Sequence, residues 1–354
     1  MSSADEQNPV LFGGIDYGRV FLTFAKCTDE KIAHGLIFEA LLHALKEQGV
    51  VLRDGQPTTL VDLGCGEGNT ACEMIDAITR VHPRGDGVNY YGLDADVRFV
   101  LSTERLLTEV KKSKHLRTIN VQRADVLSGK PLPFPSMDHV LATMGHVLYY
   151  AHSDKGKEQT KRNIAGVVDS VIEILGQNGI CLFVHSAGHC PLANLRASVA
   201  DSVEAKPARF IAEIAQEKRL DVVSFIAPYK LYFPRLIPEQ WEECKEPSSY
   251  DLLRNSKEPR FVLTPELLTF IAQRGLKGLA HERKLDRFVD ELKAQVDADG
   301  AFVGLSDYQL MLSRRHSPEL GESVEAAVCK VVDSLDRIGR EAEQVCKRRA
   351  LLHL

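Results

Sequence analysis

The chain has 354 residues, of which 44% are hydrophobic and 26% are charged, and its formal net charge at pH 7 is -5. This composition is typical of a globular protein of one large domain or two, and the negative balance argues against nucleic-acid or membrane-surface partners. The start of the chain lacks the regions of a signal peptide, and the eight cysteines form no CxxC pair. We therefore expect a reduced, cytoplasmic protein.

The first predicted elements are helices between residues 15 and 48, where apolar residues recur at three- and four-residue steps. Thr28 is the expected cap of the second helix. Asp29 and Glu30 fall in its first turn, where acidic side chains favour the start of a helix. We predict that residues 1–50 form an N-terminal helical lid.

Residues 51–235 alternate between short apolar runs and amphipathic segments. In chain order the predicted elements are strand 58–64, helix 69–83, strand 88–96, helix 97–113, strand 118–126, strand 137–150, helix 161–179, strand 180–188, helix 190–220 and strand 220–233. Strands and helices that alternate in this way form parallel sheets covered on both faces. We therefore predict an α/β fold: a Rossmann-like, doubly wound, mostly parallel seven-stranded sheet.

The last third of the chain departs from this regular alternation. Residues 236–295, rich in Pro, Glu, Lys and aromatic residues, are predicted to form a substrate-side insertion, and residues 296–316 the final strand of the core. Residues 317–354 are predicted to be a C-terminal helical extension. Its apolar residues follow alternating four- and three-residue steps: Val324, Val328, Val331, Leu335, Ile338, Ala342 and Val345. Such a seam packs either on its own domain or across a homodimer.

Three glycines follow the first predicted strand of the core. The run DLGCGEG places them at Gly64, Gly66 and Gly68, directly after Asp62. A glycine cluster at the end of an apolar run lets a ligand approach the backbone closely, and open α/β sheets bind ligands at the carboxyl ends of their strands. The spacing is neither the GxGxxG of dinucleotide-binding loops nor the GK[ST] loop of nucleotide triphosphatases.

This pattern resembles the first motif of S-adenosylmethionine-dependent methyltransferases with the Rossmann-like fold. In that family an acid at the tip of the second strand, matched by Asp94, accepts hydrogen bonds from both ribose hydroxyls. An acid at the tip of the third strand, matched by Asp125, faces the adenine amine. The resemblance implies S-adenosyl-L-methionine as cofactor and S-adenosyl-L-homocysteine as product. The implied cofactor-binding residues are Asp62, Gly64, Cys65, Gly66, Gly68, Asp94, Asp125, Val126 and Gly145.

Two segments resemble the histamine N-methyltransferase family more specifically, within a likeness that spans about residues 15–313. The Leu-Tyr-Tyr of residues 148–150 matches one family segment, although His146 stands where the family has a glutamine that contacts the substrate. An aromatic ladder followed by Thr-x-Glu matches the family's amino-terminal helix in register: Tyr17, Phe21, Phe24, Thr28 and Glu30.

The resemblance implies an enzyme that methylates the nitrogen of a small amine or imidazole-containing metabolite. Glu30 of the matched motif binds the acceptor in that family. His146 is expected to accept the proton that the amine loses, because the reference pKa of histidine lies near the operating pH. The catalytic candidates are thus Glu30 and His146. The candidate substrate-binding residues are Tyr17, Phe21, Glu30, His146, Tyr149, Tyr150 and Trp241.

Structural roles remain open for four of these residues: a favourable helix start for Glu30, a strand-end histidine for His146, and packing for Tyr149 and Tyr150. The stretch HSAGHC (185–190) has no carboxylate with ligand spacing nearby, so no metal site is expected. The functional alternatives are an O- or C-methyltransferase of another small molecule, and a non-catalytic binding subunit that keeps the methyltransferase fold.

Overall fold

The computed structural model describes residues 11–12, 15–16, 23–24, 27–151, 153, 155–187, 191–192, 194–195, 207–233, 235–236, 250–251, 260–263, 265–272, 281–296 and 301–352. The chain divides into two compact units. Unit 1 comprises Met1–Glu30, His189–Glu204 and Tyr229–Leu305, and unit 2 comprises Lys31–Gly188, Ala205–Pro228 and Ser306–Leu354.

Seven strands form the main sheet, in the order β3-β2-β1-β4-β5-β7-β6. They are β1 Thr58–Leu63, β2 Val88–Asp94, β3 Leu116–Arg123, β4 Leu141–Gly145, β5 Ile180–Ser186, β6 Val222–Tyr232 and β7 Ala301–Leu312. Strands β1 to β5 run parallel to one another, whereas β7 runs antiparallel to β5. The predicted fold class, a doubly wound and mostly parallel seven-stranded α/β sheet, is confirmed.

Helices follow most of these strands. Their bounds are α1 Glu30–Glu47, α2 Asn69–Val81, α3 Val97–Val110, α4 Lys157–Ile174, α5 Pro207–Lys218, α6 Pro265–Ala272, α7 Leu285–Lys293, α8 Pro318–Val332 and α9 Leu335–Leu352. Across the described part of the chain, every helix is too short or too polar to span a lipid bilayer. The strand order reverses between β1 and β4, which is the switch point where open α/β sheets bind ligands.

Two apolar clusters cover the two faces of the sheet within unit 2. Neighbouring residues of β1 point to opposite faces: Leu60 packs with Leu42 of α1 and Val328 of α8, whereas Val61 packs with Ile164 of α4. All five side chains are at least 95% buried. Each such burial contributes about 1.5–3 kcal/mol, so the sheet is held from both sides and its strand ends are fixed in position.

The fourth predicted strand is shorter than expected. The prediction that it extends to residue 150 is wrong, because β4 ends at Gly145 and Leu148–Ala151 form a 3₁₀ turn. His146 adopts φ 58, a left-handed conformation that cannot continue a strand. The apolar run therefore turns at His146 and places Tyr150 in the short helix after the strand.

The predicted closure of the helix before β5 at Gly179 is also wrong. Helix α4 ends at Ile174, and the N–H of Gly176 is bonded to the carbonyl of Met137. A Cβ on Gly176 would lie 2.4 Å from Oδ1 of Asp138. Gly176 is therefore the glycine that the close approach of two chain segments requires, and Gly179 lies beyond the helix.

The C-terminal extension is part of the core of unit 2. Its predicted helix is divided at Asp333 and Ser334 into α8 and α9, and Pro318 begins α8. Five residues of the apolar seam are buried within unit 2: Val324, Val328, Val331, Ile338 and Ala342. The seam is thus occupied by the chain's own sheet and helices. A homodimer through residues 317–354 stays a prediction, and it would have to use another face of α8 and α9.

Unit 1 contains the described parts of the predicted insertion, including α6 and α7. Its described residues also form two small antiparallel sheets: Leu11–Phe12 with Ile15–Asp16, and Arg260–Leu263 between Arg235–Leu236 and Tyr250–Asp251. Residues Lys31–Gly188 belong to unit 2, and the N-terminal lid of residues 1–50 stays a prediction.

Candidate functional site

The glycine loop, residues 62–68, joins β1 to α2 at the switch point of the sheet. Gly64 and Gly66 both have positive φ, 88 and 55, but for different reasons. A Cβ on Gly64 would lie 2.2 Å from Cγ2 of Val147, in the loop after β4, whereas a Cβ on Gly66 would meet nothing within 4 Å. Gly64 therefore lets two loops pack, and Gly66 borders open space. Gly145, at the end of β4, also borders open space.

Asp94, at the tip of β2, braces this loop. Its Oδ2 accepts the N–H of Gly66 at 3.0 Å, and its Oδ1 accepts the N–H of Asp96 at 2.9 Å. The hydroxyl of Thr103 adds a bond to the carbonyl of Gly66 at 2.7 Å. Burial raises the pKa of Asp94, and the backbone bonds lower it. A carboxylate oxygen accepts more than one hydrogen bond, so Asp94 retains lone pairs for a ligand hydroxyl.

Asp62 lies beneath the glycine loop. Its carboxylate is 95% buried and accepts the hydroxyls of Tyr90 at 3.1 Å and Thr143 at 3.2 Å. Burial raises the pKa of Asp62 to about 6, against the lowering effect of these two hydrogen bonds. The carboxylate is thus held in place by β2 and β4 at a cost in solvation, and a nearby cationic group would stabilise it.

The remaining predicted cofactor residues lie at the same edge. Gly68 directly precedes α2 at φ 85. Cys65 is buried, which raises the pKa of its thiol, so it is neutral and not a nucleophile. Asp125 is exposed and caps a 3₁₀ turn by accepting the N–H of Leu127 at 2.9 Å, and Val126 is buried beneath it. Asp125 therefore presents a carboxylate beside the tip of β3.

His146 follows Gly145 directly. Its N–H is bonded to the carbonyl of Val184 at 2.8 Å, and its side chain is partly buried. The ring of His34, from α1, is stacked on the His146 ring with centroids 5.6 Å apart and an interplanar angle of 15°. Sequence reasoning missed His34. Its position one turn after Glu30 on the same helix is the signal that could have indicated it.

Glu30 is the first residue of α1 and is 1% exposed. Its N–H is bonded to the hydroxyl of Thr28 at 3.0 Å, so Thr28 caps the helix as predicted. Within unit 1, the N–H of Lys230 is bonded to Oδ1 of Asp29 at 2.6 Å, and the hydroxyl of Tyr232 to its Oδ2 at 3.3 Å. Burial raises the pKa of Asp29 to about 6. These bonds fix where α1 starts.

The other predicted substrate residues are placed only in part. Tyr17, Phe21 and Trp241 lie outside the described residues. The backbone of Tyr149 belongs to the 3₁₀ turn after β4, and Tyr150 is 48% exposed. The roles of Tyr149 and Tyr150 in substrate binding stay predictions.

Two further titratable groups lie opposite each other at this end of the sheet. His185 of β5 is fully buried and pairs across the strands with Asp307 of β7. Burial, with a smaller effect from His146, lowers the pKa of His185 to about 3, and burial raises the pKa of Asp307 to about 6. His185 is therefore neutral at physiological pH. His189 and Cys190, of the stretch HSAGHC, lie outside the described residues.

No protein-family model matches the chain, and no curated protein matches it. The solved structures to which the chain is similar include the following three. The YcgJ protein from Bacillus subtilis is 15% identical, with 78% of this chain and 98% of that chain covered and a TM-score of 0.41. A SAM-dependent methyltransferase from Methanosarcina mazei is 10% identical, with coverages of 73% and 92% and a TM-score of 0.37. A SAM-dependent methyltransferase from Aquifex aeolicus is 11% identical, with coverages of 60% and 92% and a TM-score of 0.35. This likeness is one of fold.

Proposed function

We propose that the chain is an S-adenosylmethionine-dependent methyltransferase that methylates a nitrogen of a small amine or imidazole-containing metabolite. One observation carries the donor half of this proposal. Gly66 and Gly145 border open space at the carboxyl ends of β1 and β4. Asp94 lies at the carboxyl end of β2, and Asp125 lies just after β3. A ligand with a diol and an amine fits acceptors placed in this way.

The residues present fit S-adenosyl-L-methionine. Asp94 would accept the ribose hydroxyls, and Asp125 with the backbone of Val126 would contact the adenine ring. Asp62 supplies a buried negative charge under the loop, which favours a ligand that carries an ammonium group. When bound, this cofactor supplies a methyl group already activated on a sulfonium. The protein's remaining task is to orient the acceptor and exclude water.

His146 supports a nitrogen acceptor. It follows Gly145 directly, so its imidazole lies at the donor edge of the sheet, where it would hold the proton that a protonated amine must lose. The resemblance to the histamine N-methyltransferase family supports a second role, in which the Glu30 carboxylate binds a cationic acceptor. An O-methyltransferase of small phenols would use the same histidine as base, and a C-methyltransferase would need a carbon acid as acceptor.

The donor half is tested by calorimetric titration with S-adenosyl-L-methionine. We expect Asp94→Asn to weaken binding about tenfold or more, because the substitution alters both the bond to the N–H of Gly66 and the group that would accept the ribose hydroxyls. Asp86→Asn is the matched control, since Asp86 precedes β2 at the opposite end of the same strand. If wild-type protein does not bind the cofactor, the donor half is wrong.

The acceptor half is tested with a panel of biogenic amines, imidazoles and phenols, followed by release of S-adenosyl-L-homocysteine and mapping of the methylated atom. We expect methylation on nitrogen, with kcat lowered about tenfold or more by His146→Gln. His139→Gln is the matched control, because His139 shares the left-handed backbone conformation and lies before β4. Methylation on oxygen or carbon supports the alternative enzymes, and cofactor binding without turnover supports a binding subunit.

A further inference from the structure

Four rings form a continuous row in unit 2, which we call the ring row: Phe225, Tyr308, His34 and His146. Phe225 of β6 is stacked on Tyr308 of β7, with centroids 4.9 Å apart and an interplanar angle of 6°. Tyr308 meets His34 edge-on, with centroids 5.5 Å apart and an angle of 90°. His34 is stacked on His146 at 5.6 Å. The row thus connects two strands at one side of the sheet to the loop after β4.

The three other rings of the row are more deeply buried than His146, and their packing restricts their motion. Phe225 is 7% exposed, Tyr308 2% and His34 8%, whereas His146 is partly buried. The first three rings are surrounded by packed neighbours, and Tyr308 belongs to the largest apolar cluster of the unit. The row therefore fixes the plane of the His34 ring and presents one of its faces to His146.

The backbone of His146 does not by itself fix the plane of its ring. Its φ of 58 and the bond from its N–H to Val184 fix where Cα lies. The χ2 torsion of histidine, however, has broad minima, so the contacts of the ring decide its orientation. Parallel stacking on a buried ring selects one orientation.

We infer that His34 is a positioning residue for His146, which holds the imidazole plane at the donor edge through the ring row. The inference rests on the proposed function in one respect: the consequence for turnover requires that His146 act on the acceptor. The geometric claim, that His34 restricts the His146 ring, does not require it. A small error in the orientation of a reacting group lowers kcat much more than it lowers ligand affinity.

Two substitutions separate stacking from mere filling of space. His34→Phe keeps a flat ring that can stack on His146, whereas His34→Leu introduces an apolar side chain of similar size without a ring. We expect His34→Leu to lower kcat about tenfold, and His34→Phe to keep kcat within about threefold of wild type. The affinity for S-adenosyl-L-methionine should change less than about twofold in both variants, because neither touches the glycine loop.

A second measurement reports on the ring without activity. The imidazole of His146 is followed by nitrogen–proton NMR correlation in labelled full-length protein, and its signals are assigned with His146→Gln. We expect one sharp set of signals in wild type and His34→Phe, and broadened or doubled signals in His34→Leu. Unchanged signals in His34→Leu would overturn the inference, as would equal loss of kcat in the Phe and Leu variants. If no acceptor is methylated, the proposed function fails and the NMR result still decides the role of His34.

Discussion

The glycine loop of unit 2 and the anchor segment of unit 1, residues 27–30, are built in opposite ways. The glycine loop depends on contacts along neighbouring strands, such as Asp94 with Gly66 across 28 positions of sequence. The anchor segment depends on the far end of β6, because Thr28 and Asp29 bond Lys230 across 202 and 201 positions. The contacts of the glycine loop come from a neighbouring strand close in sequence, whereas those of the anchor segment come from a strand about two hundred residues later.

This difference teaches that the two regions depend on contacts at different ranges of sequence. The glycine loop has its own sequence signature because glycine conformations and strand ends are local properties. The residues that begin α1 receive their position from a strand that forms two hundred residues later. Substitutions in the glycine loop should therefore affect the ligand most, and substitutions in the anchor segment should affect local order most.

The largest effects are expected at Gly64 and Gly66 of the glycine loop, and the two substitutions should differ in what they change. Gly64→Ala places a methyl group against Val147 at positive φ, and we expect it to lower the free energy of unfolding by about 3 kcal/mol. Gly66→Ala meets no neighbour, so its cost in stability should be about 1 kcal/mol, while S-adenosylmethionine affinity falls about tenfold or more.

Gly55→Ala is the control for this pair, because Gly55 also has positive φ with nothing within 4 Å of a Cβ, but lies before β1. It should show the same small loss of stability with unchanged affinity. Denaturant unfolding and calorimetric titration measure both quantities. Equal affinities for the Gly55 and Gly66 variants would remove Gly66 from the ligand site.

Asp62→Asn is expected to have the next largest effect, and its sign depends on pH. The folded pKa of about 6 lies above the ordinary aspartate value of 3.8, so the folded state binds this proton more tightly than the unfolded chain. The stability that protonated Asp62 contributes is complete below pH 3.8 and is lost as the pH rises through 6.

The asparagine side chain does not ionise, so it avoids the cost of a buried charge at high pH. The free energy of unfolding of Asp62→Asn should therefore exceed that of wild type by up to about 3 kcal/mol near pH 8 and equal it at a pH of about 3.5. Unfolding curves at both pH values measure this. The same variant should bind S-adenosylmethionine more weakly, because the buried charge under the loop is gone. Greater stability with unchanged affinity would mean that Asp62 has a structural role under the glycine loop and none in binding the ligand.

Asp29→Ala probes the anchor segment, and we expect the free energy of unfolding to fall by about 2 kcal/mol because two partly buried hydrogen bonds disappear. Asp29→Asn is its control, since the amide oxygen still accepts the N–H of Lys230. Hydrogen exchange should show faster exchange at Lys230 and Tyr232 in the alanine variant. Exchange that increases equally throughout β1 would contradict a local role.

The smallest expected effect is that of Thr28→Ala, which removes the hydroxyl that accepts the N–H of Glu30. Loss of such a cap costs about 1 kcal/mol, and Thr28→Ser should restore it. Unfolding measurements with both variants test this. If Thr28→Ala weakened cofactor affinity as strongly as Gly66→Ala, the distinction between the two regions would fail.

The sequence by itself determined the parts whose physics is local. It indicated the α/β alternation, the glycine loop at the end of the first core strand, and Asp94 and Asp125 at successive strand tips, because periodicity and glycine usage report on neighbouring residues. It placed the cap at Thr28 for the same reason.

Only the tertiary structure decided the rest. The seam of α8 is buried in the core of its own unit, β4 ends at Gly145, and Asp62 accepts hydrogen bonds from Tyr90 and Thr143 of two other strands. His34 reaches His146 from a helix more than a hundred residues earlier. Such contacts carry no signature in sequence, because they depend on which strands become neighbours and on how closely their ends pack.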